Sequence, residues 1–110
     1  MNDKEKYTIL KMIEYINKSI NYTKDLNYEL FEKDVKTQDA TIFNISQIGE
    51  LVRNITDETI NRYNNIEWRM IKGLRNRIIH DYDGINLSNI WYTIENDLPM
   101  LKKRFNGNIK

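Results

Sequence analysis

Apolar residues recur along this 110-residue chain at helical rather than strand spacing. Ile9, Ile13, Ile16 and Ile20 fall at i, i+4, i+7 and i+11, one stripe on a helix predicted from about Asp3 to Tyr22. A polar break at Thr23 to Asn27 follows, and Asn27 is a fitting N-cap for a short helix through Tyr28, Leu30 and Phe31. The next pattern, from about Asp34 to Asn54, sets Ile45, Ile48, Val52 and Ile55 at i, i+3, i+7 and i+10. Gly49 lies inside it, at a cost of about 1 kcal/mol relative to Ala. Such a glycine marks either close approach of another backbone or a tolerated defect. Thr56-Asp57-Glu58 reads as the cap and acidic first turn of a further short helix, and Asn64-Asn65 as a break. A helix from Glu67 to about His80 carries Trp68, Ile71, Leu74, Ile78 and Ile79, and Asp81-Tyr82-Asp83-Gly84 is a turn signal. The last helix, from about Asn86 to Phe105, carries Leu87, Ile90, Trp91, Ile94, Leu98, Leu101 and Phe105. Pro99 is expected to kink it, and Asn106 to Lys110 to fray. No strand-like alternation competes. The pattern predicts an all-α protein, an antiparallel four-helix bundle with one or two short extra helices, in a single domain over residues 1–110. The helices carry more large apolar groups than one small core hides, which predicts a two-fold dimer.

Composition narrows the chemistry. With no Cys and one His, thiol catalysis, disulfides and a multi-His metal site within one chain are excluded. The polar start, Met1 to Lys6, has no apolar run behind it, and no stretch approaches a membrane span, so a soluble cytoplasmic protein without membrane association is expected. The net charge of +1 conceals an uneven layout. Arg69 to His80 holds Arg69, Lys72, Arg75 and Arg77 and no carboxylate. This stretch is either a phosphate-binding surface or a solvated helix end whose cations the helix dipole favours. His80 closes it. An imidazole there serves acid–base chemistry or caps the helix C-terminus. Arg75 and His80 are five residues apart, about 140° around an ideal helix, so they converge only if the helix ends or distorts first. One His, one or two Arg and a Tyr are few groups for an active site, and a second copy of the chain would double them.

Arg75-Asn76-Arg77-Ile78-Ile79-His80-Asp81-Tyr82 reads Arg-x-x-x-x-His-x-Tyr with Asn directly after the Arg. This resembles the signature of HEPN ribonucleases, in particular the HepT-like toxins of type VII toxin–antitoxin systems. Further segments agree in order: Gln47-Ile48-Gly49-Glu50, Trp68 with Gly73-Leu74-Arg75-Asn76, and Trp91 with Asp97-Leu98-Pro99. Departures are Asn64-Asn65 where a Pro is frequent, Asn86 in place of Asp, and Leu51 in place of a small residue. None removes a catalytic group.

The resemblance implies a HEPN-type bundle that dimerises, and a metal-independent endoribonuclease with no cofactor. The RNA's own 2′-OH would be the nucleophile and His80 the general acid or base. Arg75 would stabilise the phosphate, and Asn76 would orient a phosphate oxygen or His80. Products would be a 2′,3′-cyclic phosphate and a 5′-OH. Glu50 would position Arg75 or Arg77 as supporting residues, or is a plain surface carboxylate. The implied partner is an MntA-like nucleotidyltransferase antitoxin, which would attach AMP to Tyr82. The other reading of Tyr82 is a tyrosine packed at the dimer seam. The alternative to a toxin enzyme is a non-catalytic HEPN subunit that docks to a nucleotidyltransferase or binds a nucleotide.

Overall fold

The computed structural model describes residues 1–80 and 84–109, the side chains of Ile79 and His80 excepted. Helix α1 (Asp3–Thr23) starts at a capping box: Asn2 Oδ1 accepts from the Glu5 N–H at 2.8 Å, and Glu5 Oε1 accepts from the Asn2 N–H at 3.5 Å. Ile9, Met12, Ile13 and Ile16 are buried on its inner face, while Ile20 is half-buried. Helix α2 (Tyr28–Glu32) is capped by Asn27, as predicted, through a 2.9 Å bond from the Leu30 N–H. Helix α3 (Val35–Leu51) is capped by Asp34 and tightens into a 3₁₀ turn over Val52–Asn54. Helix α4 (Asp57–Arg62) starts at Thr56. The Glu5 carboxylate reaches across to this cap: Oε2 accepts from the Thr56 N–H at 2.8 Å and from its hydroxyl at 2.9 Å. One buried side chain thus ties the starts of two helices together.

The predicted continuous helix from Glu67 to His80 is instead two short ones, α5 (Trp68–Lys72) and α6 (Leu74–Ile78), meeting at Gly73. The chain then leaves helical geometry for a two-residue antiparallel pair that alternation did not announce. β1 (Ile79–His80) lies against β2 (Gly84–Ile85), with Ile79 opposite Ile85 and His80 opposite Gly84. The reason lies in who satisfies the last carbonyls of α6. The Arg77 carbonyl accepts from Asn89 Nδ2 at 2.9 Å, and the Ile78 carbonyl from the Asn86 N–H at 3.0 Å. With those acceptors filled from the following helix, further helical turns are unnecessary. Gly84 enters β2 at φ +80, a conformation open to glycine at no steric cost. Asp81, Tyr82 and Asp83, the predicted turn, lie outside the described residues.

The closing helix has three parts: α7 (Leu87–Tyr92), a π turn over Thr93–Asp97, and α8 (Leu98–Asn108). Asn86 caps it through the Asn89 N–H at 2.9 Å. The expected irregularity at Pro99 is this π turn, immediately ahead of the residue that cannot donate to the carbonyl four back. Among the described residues the expected fraying from Asn106 does not occur: α8 runs to Asn108, whose side chain donates to the Arg104 carbonyl and accepts from Asn65 Nδ2, both at 2.7 Å, and Lys110 lies outside the described residues.

α1 packs along α3 and α8, and α3 also receives α2, α5, α6 and α7. Ile45 and Ile48 of α3 meet a core that includes Phe31, Ile71, Leu74, Ile78, Ile90 and Leu98. The all-α architecture stands. No helix among the described residues is long and apolar enough to cross a membrane.

Candidate active site

Leu74 and Ile78 anchor α6 in the core, and Arg75, Asn76 and Arg77 between them point outward. That is what a spacing of four between two buried positions on one helix allows. The three exposed side chains have different fates. Arg77 Nη1 donates to Asp97 Oδ2 at 2.8 Å, its guanidinium lies 5.4 Å from the Tyr92 ring centroid, and its carbonyl is bonded by Asn89. It is committed to holding α6 against the closing helix. Arg75 and Asn76 make no side-chain hydrogen bond or ion pair with any described residue. Among the described residues neither has a partner, and a guanidinium and an amide suit phosphate oxygens.

The π turn explains why Asp97 is available to Arg77. Its side chain is 12% exposed against 40% for Arg77. Burial pushes the Asp97 carboxyl above the usual carboxylate range, and the Arg77 charge and a hydrogen bond from Thr93 pull the other way. Sequence reading passed over Asp97 as a site residue. Its segment was noted within the closing helix, but a contact across 20 positions, set by an irregular turn, leaves no periodic trace.

Gly49 settles as close approach rather than defect. A Cβ placed on it would stand 3.4 Å from the Ile71 carbonyl oxygen and 3.8 Å from the Arg75 nitrogen. The absent side chain lets α3 sit directly against the backbone that carries Arg75. Glu50, one residue on, differs from expectation: it pairs with Arg53 at 3.5 Å, both exposed, and not with Arg75 or Arg77. Arg53 stands three residues on, in the 3₁₀ turn that follows α3, so it is within easier reach than the neighbouring helix.

His80 follows α6 as the second residue of β1, so the helix ends before it and the 140° mismatch no longer applies. Its side chain, and the whole of Tyr82, lie outside the described residues. The structure therefore places Arg75, Asn76 and the backbone of His80 along one short segment, adds Asp97 and Tyr92 to Arg77, and pairs Glu50 with Arg53 rather than with Arg75 or Arg77.

The family model for HepT-like ribonucleases matches residues 12–106. A Methanocaldococcus jannaschii protein named provisionally as the RNase MJ0127 is 38% identical over 88 residues, 80% of this chain and 73% of its own. A Caldanaerobacter subterraneus subsp. tengcongensis protein, named in the same provisional way as the RNase TTE0752, is 33% identical over 96 residues, 87% of this chain and 83% of its own. A Thermococcus cleftensis protein bearing the name probable ribonuclease HepT is 34% identical over 84 residues, 76% of each chain. No solved structure matches at a significant level. With the model spanning Gly49, the Arg75–His80 segment and Asp97, the chain belongs to the HepT-like ribonuclease family.

Proposed function

We propose that this ribonuclease is the toxin of a toxin–antitoxin pair, a metal-independent endoribonuclease acting as a homodimer. The observation that carries the reading is the contrast along α6. Arg77 is clamped, while Arg75 and Asn76 stand exposed and without described partners just before His80. In the proposed reaction His80 takes the proton of the 2′-OH, whose oxygen attacks the adjacent phosphorus. The P–O5′ bond breaks and the leaving oxygen takes up a proton, giving a 2′,3′-cyclic phosphate and a 5′-OH. Arg75 stabilises charge on the non-bridging oxygens, and Asn76 holds one of them or orients His80. DNA, without a 2′-OH, is not a substrate. A second protomer supplies a second set of these few groups across a shared cleft.

The proposed antitoxin is a nucleotidyltransferase that moves AMP from ATP to the Tyr82 hydroxyl with release of pyrophosphate. The adduct adds bulk and negative charge two residues from His80 and competes with RNA phosphate for Arg75.

The test is cleavage of RNA by the purified chain in excess chelator, with end-group analysis of the products. Arg75→Ala and His80→Ala should each lower the rate on the order of 10²- to 10⁴-fold. Growth arrest on expression without the partner should vanish in the same variants. RNA left intact by the wild-type chain, together with a stable nucleotidyltransferase complex indifferent to His80→Ala, would replace the enzyme reading with that of a docking subunit.

A further inference from the structure

Beside the candidate active site lies a recess of about 450 Å³ lined by Gly49, Val52, Arg53, Ile55, Asp57 and Lys72. Gly49 joins the two: the same missing Cβ that admits the Arg75 backbone forms part of the wall. Val52 and Ile55 lie beneath the recess almost wholly buried, and its exposed lining is made by Arg53, Asp57 and Lys72. Lys72 is exposed, lies three residues before Arg75, and makes no ion pair with any described residue. Lys72 ends α5 and Arg75 is the second residue of α6, so only Gly73 and Leu74 separate the two cations along the chain. Arg53 also lines the recess, its side chain 75% exposed and held only loosely by Glu50. Asp57, also without an ion-pair partner among the described residues, sets one carboxylate against these two cations.

We propose that this recess is a substrate subsite, which binds the phosphodiester of the nucleotide next to the one cleaved in a single-stranded RNA. The inference rests on the ribonuclease reading and adds to it a direction for the strand, from Arg75 toward Lys72 and Arg53. Lys72 and Arg53 neutralise the flanking phosphate. Asp57 repels a phosphate displaced toward α4 and so confines it to the Lys72 side.

The experiment pairs binding with cleavage. A 2′-O-methyl oligonucleotide, which cannot be cleaved, is titrated against the wild-type chain, Lys72→Ala, Arg53→Ala and Asp57→Asn over a range of salt. Cleavage is measured on a ribo-oligonucleotide and on a dinucleotide with a single phosphate. All three substituted positions are exposed, so the variants keep the fold. The two alanine variants should bind the oligonucleotide several-fold more weakly. Each should also lower the slope of log affinity on log salt by about 0.7. Asp57→Asn should bind more tightly. The KM for the ribo-oligonucleotide should rise in the alanine variants while cleavage of the dinucleotide stays at the wild-type level. Unchanged affinity and salt slope in both alanine variants would overturn the subsite while leaving cleavage intact. Wild-type binding with Lys72 dependence but without cleavage would keep the recess as an RNA-binding site and overturn the ribonuclease mechanism, and with it the role as a substrate subsite. Absence of both binding and cleavage would overturn both.

Discussion

Two buried carboxylates respond to pH in opposite directions, and their surroundings decide the sign. Glu5 accepts from the Thr56 backbone N–H above all and from the hydroxyls around it. These bonds outweigh the cost of burial and hold its carboxyl below the usual range. Its contribution to stability is therefore present above its ordinary value and lost as pH falls through the lowered one. Asp97 is held above the usual range by burial. Its folded form prefers the proton, so stability declines as pH rises from the ordinary carboxylate range through the raised value. Urea unfolding across that acidic range should show both: Glu5→Gln flattens the loss on acidification, and Asp97→Asn removes the decline on the higher-pH side. Arg77→Met should cost about 1–2 kcal/mol, between an exposed pair and a fully buried one, because it leaves the Asp97 charge without its partner. If Asp97 acts by positioning α6 through Arg77, Asp97→Asn lowers kcat with little change in stability or KM near neutrality, and Asp97→Glu restores part of the rate. A parallel loss of stability and rate would assign it a structural role alone.

At the scale of elements, Gly49 sets the distance between α3 and α6. An alanine methyl would meet the Ile71 carbonyl at 3.4 Å, the edge of ordinary contact, so Gly49→Ala should be nearly neutral in thermal unfolding. Gly49→Val adds atoms where the backbones touch and should destabilise by about 1–3 kcal/mol, with cleavage falling further as Arg75 is displaced. The elements whose order comes from local chemistry were legible in the sequence. Asn27 and Thr56 stand where a cap is needed, and the Ile9–Ile13–Ile16 stripe faces the core. The features that escaped depend on distant partners. The β1–β2 pair follows from Asn86 and Asn89 reaching back to the last carbonyls of α6. The Arg75 and Asn76 positions were legible from the motif because exposed polar residues between Leu74 and Ile78 have one face to occupy. The Glu50–Arg53 pairing was not, since a carboxylate with three cations within reach is sorted only by the packing of α3.

At the scale of the whole molecule, the apolar excess that led to the expectation of a dimer is visible as Tyr7, Leu10, Val35 and Phe43, each more than half exposed. Sedimentation equilibrium should give twice the chain mass of 13.3 kDa. If residues of both copies build each cleft, a mixture of Arg75→Ala and His80→Ala chains, exchanged through mild unfolding, should recover part of the cleavage that neither shows alone. No recovery, with subunit exchange verified by mass, would place each complete site within one chain.

The π turn of Thr93–Asp97 has a genealogical reading as well as a geometric one. It is what a single residue inserted into a regular α-helix produces. Deleting one residue there would return the helix to an even pitch and rotate α7 against α8 by about 100°. Arg77 would lose Asp97 with both residues still encoded. Point substitution cannot undo the turn in this way, and related chains that are one residue shorter between Trp91 and Pro99 should have found another anchor for that arginine.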